Sequence, residues 1–339
     1  MHRISANGII HVLVKGQKGD GFPEVKFLER EVRLRKVVSR LSYRVFFALD
    51  HMGVHLLPKH YYTPVADYSW LQRNPDTWMS RADFAGVRWD LDEQLSWVRK
   101  ICEPRYHEVE GLDWHRKLRS GGWGVWGYGP IESQVLHCFI RSYAPTTVVE
   151  IGSGISTACM LRASRINERE GRRPPNIISV EPFPTPKLRE QEEITLIEEI
   201  CQRVPDSVFD DLKAGDLLFI DSSHVVKLGS ELLRIYLDII PSLRPGVFIH
   251  IHDIYLPYLY MREALSNYYD WQETSLVLAL LKNNARLSAQ CCLSALHYDR
   301  PKEMAELLTD YRPQANVEGL RADKAGKGHF PCSLWLRTS

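Results

Sequence analysis

The sequence predicts an α/β fold built on a mostly parallel sheet with helices on both faces. Short, nearly continuous apolar runs recur through the second half of the chain, and helical stretches separate them. Strands buried on both faces read as such runs, and their alternation with helices is the mark of βαβ units. Length is the third observation: 339 residues exceed one average domain of roughly 150 residues. We therefore expect a mainly helical N-terminal extension or cap over 1–120 and a sheet domain over 121–339.

Composition narrows the class. Hydrophobic residues make up 44% and charged residues 25%, ordinary for a globular protein and wrong for a disordered chain, a collagen or a coiled coil. Lys plus Arg is 43 against 42 for Asp plus Glu, a net charge of +1. No electrostatic case for a nucleic-acid partner follows. Seven cysteines without a CxxC pair fit a reduced, cytoplasmic protein better than a disulfide framework. Cys291-Cys292 reads as a small apolar pair in a packed element. The early apolar stretch Gly8–Val14 is short and contains His11, so no signal peptide is expected. No run approaches the roughly 18 apolar residues that span a bilayer.

The elements follow in order. Residues up to about 25 read as a strand fragment and a Gly/Lys-rich turn, and Glu24–Asp50 carries a rough helical stripe. The aromatic segment Pro58–Val65 cannot be regular helix, because Pro64 disfavours helix at Thr63. Trp89–Cys102 reads as a helix with Leu91, Leu95, Trp97, Val98 and Ile101 on its apolar side. The glycine-aromatic loop Trp123–Pro130 leads into a helix over Ile131–Arg141, with Pro130 suited to its first turn. The strands are Thr147–Ile151, Asn176–Val180, a weaker Ile194–Ile200, Leu217–Asp221 and Val247–Asp253. A helix running to about Asn167 follows the first, and Gly229–Ile240 is helical. The charge runs Arg169–Arg173 and Lys324–Lys327 read as solvated loops. There is no internal repeat.

Ligands of open parallel sheets bind at the carboxyl ends of the strands. Those ends here carry Glu150/Gly152, Glu181, Asp221 and His252/Asp253. Any one of these acidic residues is most simply a helix cap; the set of four is more than that. In Glu150-Ile151-Gly152-Ser153-Gly154 the glycines let backbone approach a ligand and open a helix. The longer GxGxxG pattern is not met, since Thr157 stands at its third glycine. Glu181 can accept hydrogen bonds from both hydroxyls of a ribose. The pair implies an adenosine-containing ligand without requiring a pyrophosphate.

The second constellation is Asp221-Ser222-Ser223-His224 with His250-Ile251-His252-Asp253. If these strands are neighbours, the two aspartates sit about 5–6 Å apart and repel unless a cation or proton lies between them. His224 and His252 can join such a site. Oxygen donors favour Mg or Mn, while added imidazole favours Fe, Zn or Mn. The plain alternative is two helix caps and satisfied core histidines. His250 shares a strand face with His252 but lies deeper, a structural or supporting position.

These residues carry a family resemblance. Val149–Gly154, Val180-Glu181-Pro182, Phe219–His224 and His250–Ile254 resemble the ordered motifs of a class I S-adenosylmethionine-dependent methyltransferase, closest to the methyltransferase-24 type. Ser333–Arg337 is similar to that fold's last, antiparallel strand. The resemblance covers about Tyr128 to the C-terminus and touches Pro58–Asp67. It implies a Rossmann-like sheet, mostly parallel with an antiparallel last strand. It also implies that Glu150, Gly152, Ser153, Gly154, Glu181 and Asp221 bind S-adenosyl-L-methionine. The metal-dependent sugar O-methyltransferases of the macrolide type hold a divalent cation with an Asp and a following acidic pair, and use a His three residues after that Asp as base. Asp221, His224 and Asp253 match; His252 departs, since an acidic residue stands there in that group. The implied metal ligands are Asp221, His252 and Asp253, with Mg, Mn, Fe and Zn all open.

The expected reaction is methyl transfer to a hydroxyl of a sugar, glycan or natural product, with His224 and Asp221 catalytic. The oxygen must lie in line with the S–CH3 bond, about 3 Å from the carbon. A metal lowers the hydroxyl's pKa, and His224 either takes the proton or binds the metal, since one lone pair cannot do both. His60–Pro64 and Trp123–Tyr128 either close over the cleft or pack between domains. The expected partner is a small-molecule or glycan acceptor, with no nucleic acid and no membrane; a homo-oligomer stays open. Two rivals remain: a non-haem iron oxygenase using His224, His252 and Asp221 or Asp253, and a catalytically silent cofactor-binding protein.

Overall fold

The computed structural model describes residues 43–57, 62–124, 127–261, 264–265, 269–314 and 327–339. The chain divides into two compact units, Met1–Trp70 and Leu71–Ser339. In the first, residues 43–50 are helical. The rest of the expected Glu24–Asp50 helix and the strand fragment before it lie outside the described residues, as do Pro58–Tyr61, Val125-Trp126 and most of Lys324–Lys327.

Among the described residues, the second unit is built on seven strands: β1 Thr147–Ile151, β2 Asn176–Val180, β3 Ile194–Ile197, β4 Leu217–Ile220, β5 Phe248–His252, β6 Leu287–Cys292 and β7 Ser333–Thr338. Their order is β3-β2-β1-β4-β5-β7-β6. The first five pair in parallel, and β7 is antiparallel to both β5 and β6. This is the Rossmann-like sheet with an inserted antiparallel last strand. The order reverses at β1 and β4, which is where open sheets form a crevice at their carboxyl ends.

Period-2 alternation sends each strand's residues to two cores. Val148, Leu217, Phe219, Phe248 and Trp335 meet the helices Leu91–Cys102, Pro130–Tyr143 and Ile155–Arg169. Val149, Leu218, Ile220, Ile249 and Ile251 meet the helical stretch Glu231–Ser242 and the helix Glu273–Leu281. Each Leu or Phe fully buried in this way contributes about 1.5–3 kcal/mol. All of β4 and β5 is buried, which is why β4 reads as a continuous apolar run and β5 as one broken only by His250 and His252.

Local chemistry sets the helix ends. Asp90 caps Leu91–Cys102 by accepting from the backbone N–H groups of Asp92 and Glu93 at 2.9 and 3.0 Å. Gly129 precedes Pro130, whose missing N–H costs nothing at the first helical position. Ala144, at φ +45°, ends that helix in the left-handed region. The stretch expected as one helix over Gly229–Ile240 widens into a π turn at Ile235–Ile239. Pro241 follows directly and has no N–H to return to Leu237. The packing beneath includes a buried ionic knot: Arg141 donates from Nε and Nη2 to the two oxygens of Glu108 at 2.7 and 2.9 Å.

Candidate functional site

The carboxyl ends of β1, β2 and β4 are tied together by backbone. Gly152 N–H donates to Val180 O at 3.0 Å, and Asp221 N–H donates to Ile151 O at 2.9 Å. Gly152 has φ +79°, and a Cβ there would lie 1.8 Å from the carbonyl oxygen of Asp221. No other residue fits this turn without moving β4. The helix Ile155–Arg169 starts at Gly154, whose N–H donates to Thr157 Oγ1 at 3.0 Å.

Glu150 and Glu181, paired by the sequence, go to different places. Glu150 is fully buried under the turn. It accepts from Ser156 Oγ at 2.7 Å, Thr157 Oγ1 at 2.6 Å and Ser179 Oγ at 2.7 Å. Burial pushes its carboxyl up to about 7, against the pull of those hydroxyls. Thr157, where a dinucleotide fingerprint has glycine, is thus a tie to the strand. Glu181 leaves the sheet instead. Its carboxylate accepts from the N–H of Ser153 at 3.2 Å and of Phe183 at 2.8 Å, and it faces two adjoining clefts. The larger, about 650 Å³, is lined by Gly152, Ser153, Glu181, Asp221, His224, His252 and Asp253, among others. The smaller, about 360 Å³, shares Gly152, Glu181 and Asp221 and adds the exposed side chains of Phe183 and Ile200.

The second constellation assembles around β4 and β5, which are neighbours with Ile220 opposite Ile251. His224 stands between the two aspartates. Its Nε2 is 3.4 Å from Asp221 Oδ1 and 3.6 Å from Asp253 Oδ2. Both His224 (φ +61°) and Asp253 (φ +53°) adopt left-handed backbone, uncommon outside glycine and concentrated at functional sites. On the far side, His224 Nδ1–H donates to Glu273 Oε2 at 2.7 Å, and Tyr236 O–H donates to Glu273 Oε1, also at 2.7 Å. The carbonyl of His224 accepts from the N–H of Gln272 at 3.0 Å, and Trp271 packs on the imidazole, centroids 4.5 Å apart. Loop and helix start therefore grip this histidine by ring, backbone and face. With Nδ1 bonded to Glu273, Nε2 is the nitrogen that faces the cleft, and it offers a lone pair when the ring is neutral.

Charges tune the group. Burial opposes the imidazolium of His224, yet hydrogen bonds to Asp221 and Glu273 outweigh it and hold this pKa well above the ordinary value. Burial also opposes His252, outweighed by Asp253, Asp221 and Glu132, which raise it. Asp221 is lowered: burial works against its charge, and His252 and His224 prevail. His250 lies deeper on the same face, as period-2 alternation requires. Its ring stacks on Phe219 at 4.4 Å, its Nε2 is 3.3 Å from Tyr128 Oη, and burial pushes its pKa well down. It belongs to the core, as does Tyr128, which packs on His252 at 4.9 Å.

Among the described residues, donor atoms that lie within 4.8 Å of one another fall into two trios sharing Asp253: Asp221–His224–Asp253 and His252–Asp253–Cys332. The expected ligands Asp221, His252 and Asp253 are therefore divided between them. So are His224 and His252, which leaves the facial triad of an iron oxygenase unassembled among the described residues. Glu273, Tyr236, Glu132 and Cys332 escaped sequence reasoning. Only Cys332 had a signal, its place directly before the expected last strand.

Residues 149–254 match the sequence model of a family described as "Methyltransferase domain". Among curated proteins none matches the chain. Similar solved structures include the SAH-bound methyltransferase PaMTH1 of Podospora anserina, 14% identical, covering 84% of this chain and 99% of that one, with a TM-score of 0.37. CmcI with SAH is 17% identical over 43% of this chain and 76% of its own, TM-score 0.29. MycE, a methyltransferase of the mycinamycin biosynthetic pathway in complex with Mg, SAH and mycinamycin VI, is 14% identical over 59% and 47%, TM-score 0.28. These identities and TM-scores are too low to transfer any residue's role. The family match and the sheet order meet in one place: residues 149–254, which carry β1 to β5 of a Rossmann-like sheet, form a methyltransferase domain.

Proposed function

We propose that the chain methylates a hydroxyl group of a sugar, glycan or other natural product, with His224 as the base. The observation that carries this reading is His224 itself. It is held by Glu273 at 2.7 Å through Nδ1, and its Nε2 faces the cleft between two carboxylates. An alcohol is a poor nucleophile at neutral pH, and an oriented base within one hydrogen bond removes that obstacle.

The cofactor fits the first two strand ends. The Gly152–Gly154 turn takes the methionine side and Glu181 the ribose hydroxyls, with Asp221 at the junction of the clefts. Phe183 and Ile200 give the smaller cleft apolar walls for a flat base. Glu150 supports this site from beneath, by fixing Ser156, Thr157 and Ser179, rather than touching the ligand. The acceptor then enters the larger cleft, where Trp271, Tyr269 and Phe330 supply apolar surface and sugar rings stack well on such faces.

A divalent cation is part of the proposal. Asp253, which both trios share, would hold it, and the donor set suits one: carboxylate, imidazole and thiol atoms lie within 4.8 Å of one another. A bound cation supplies charge that lowers the pKa of the acceptor hydroxyl. Asp221 and Asp253 orient the imidazole, and His224 in its neutral form takes the proton at Nε2. The domain division proposed with this reading is a helical cap over 1–120 ahead of the methyltransferase domain over 121–339. Candidate acceptors incubated with methyl-labelled cofactor, with and without chelator, test the proposal. Label transferred to a hydroxyl supports it; label transferred only to nitrogen, sulfur or carbon acceptors refutes it.

A further inference from the structure

One group of donor atoms in the cleft shares only Asp253 with the base and nothing with the cofactor turn. His252 ends β5, Asp253 follows it, and Cys332 stands directly before β7. β7 runs antiparallel beside β5 with Ser333 opposite His252. That register brings the thiol against a carboxylate 79 residues away: Cys332 Sγ is 3.0 Å from Asp253 Oδ1. His252 Nε2 is 3.7 Å from the same oxygen. The three donor atoms lie within 4.8 Å of one another, and all three residues line the 650 Å³ cleft.

His252 is 4% exposed, and the nitrogen nearest the other two donors, Nε2, meets Asp253 only beyond hydrogen-bonding distance, at 3.7 Å. Nδ1 of the same ring has no hydrogen-bond partner among the described residues, so the neutral ring can carry its proton there and present the Nε2 lone pair to an ion. Tetrahedral zinc sets its donors about 3.3–3.6 Å apart. The S–O and N–O spacings of 3.0 and 3.7 Å already lie within about half an ångström of that.

We propose that His252, Asp253 and Cys332 bind one thiophilic divalent ion of the zinc type, with a fourth position open to the cleft. This rests on the reading that a cation takes part at this site, and it names which one and where. A thiolate, an imidazole and one carboxylate select zinc over magnesium, which takes oxygen donors and resists losing its water. Three protein donors and one open side are the pattern of catalytic rather than structural ions. As the sulfur–metal bond forms, the thiol proton passes to solvent, and Asp253 exchanges the thiol's hydrogen bond for the ion. Glu132 supports the arrangement from behind: its Oε1 accepts from the backbone N–H of Cys332 at 3.0 Å. Asp221 and His224 stay outside this trio and remain available to the acceptor hydroxyl.

The test is titration of the metal-stripped full chain with cobalt(II), read by absorption. One equivalent should produce an intense near-ultraviolet sulfur-to-cobalt charge-transfer band. Cys332→Ser should lose the band although the six other cysteines remain, and should weaken zinc binding by at least the roughly 10–100-fold that losing even an outer partner costs. S-adenosylmethionine binding, measured on the same samples, reports on the fold and on the methyltransferase reading separately. Cofactor binding with no charge-transfer band overturns the zinc site and leaves the enzyme intact. A band without cofactor binding supports the metal site and counts against the function above. A band that survives in Cys332→Ser overturns the assignment of the thiol. Should that variant not fold, NMR of the cadmium-loaded wild-type chain reads the donor directly. A shift in the thiolate range supports the site, and one typical of only oxygen and nitrogen donors overturns it.

Discussion

Replacing Glu273 perturbs the site at a point the sequence never indicated. Its carboxylate is 1% exposed and accepts from His224 Nδ1 and from Tyr236 Oη, each at 2.7 Å. Both donors are themselves buried, His224 at 4% and Tyr236 at 2% exposure. In Glu273→Ala each is left without an acceptor, at about 1–3 kcal/mol apiece. The expected loss of stability is therefore about 2–6 kcal/mol, plus whatever the vacated volume adds. Glu273→Gln keeps the volume and at least one acceptor, so its loss should be the smaller of the two. Turnover separates position from stability. The glutamine variant loses a charge-assisted hydrogen bond to the base, worth about 1.5–3 kcal/mol, which converts to about a 10- to 150-fold lower kcat. Urea unfolding at neutral pH gives the first quantity, and steady-state kinetics with an identified acceptor gives the second. An alanine variant within about 0.5 kcal/mol of wild type, the scatter of neutral surface changes, would refute the structural reasoning. Unchanged kcat in a folded Glu273→Gln would refute the claim that Glu273 holds the base.

Other outcomes are expected elsewhere. Glu181→Ala should weaken S-adenosylmethionine binding by about 1–3 kcal/mol, the cost of hydrogen bonds to a charged group; unchanged affinity in calorimetry removes Glu181 from the site. His224→Ala should cut turnover by about 10²–10⁴-fold while cofactor affinity stays near wild type; loss of bound metal together with activity would make it a ligand instead. Glu108→Gln should destabilise the fold by about 1.5–3 kcal/mol at neutral pH, the worth of a hydrogen bond to a charged group, because Arg141 keeps Glu170 but loses the second carboxylate. Burial opposes the Glu108 charge, but His137 and Arg141 hold its carboxyl far below the ordinary 4.5. Its stabilisation is therefore present above about pH 4.5 and lost as pH falls toward the folded value. Melting curves of wild type and variant should converge as pH drops; a gap that widens on acidification contradicts this account.

The strands β1, β2, β4 and β5 were legible because each keeps at least three apolar residues in a run of four or five, the mark of a mostly buried strand. β6 was not: Leu-Ser-Ala-Gln-Cys-Cys has no β-branched residue, and a register shift at Ala289/Cys291 breaks its pairing. The candidate site was legible where a residue stands just past its strand. Glu181, Asp221 and Asp253 each follow the last strand residue, and all three face the cleft. Glu150 stands one residue inside β1, and alternation turns it under the sheet toward Ser179 and Thr157. The rule of polar strand ends does not separate these cases; the parity of the strand does. Glu273 and Cys332 reach the site across 49 and 79 residues of chain, through contacts that depend on which helix and strand close the cleft.

The central claim is that the turn at β1 and the acid at β2 hold S-adenosylmethionine in a cleft that ends at His224. Equilibrium titration of the full chain with S-adenosylmethionine, competed with S-adenosylhomocysteine, tests it most directly. The account predicts one-to-one saturable binding in the range of roughly 1 μM to 1 mM usual for enzyme substrates, displaced by the product and weakened in Glu181→Ala. No binding up to about 1 mM, or binding indifferent to both the product and Glu181, would contradict it.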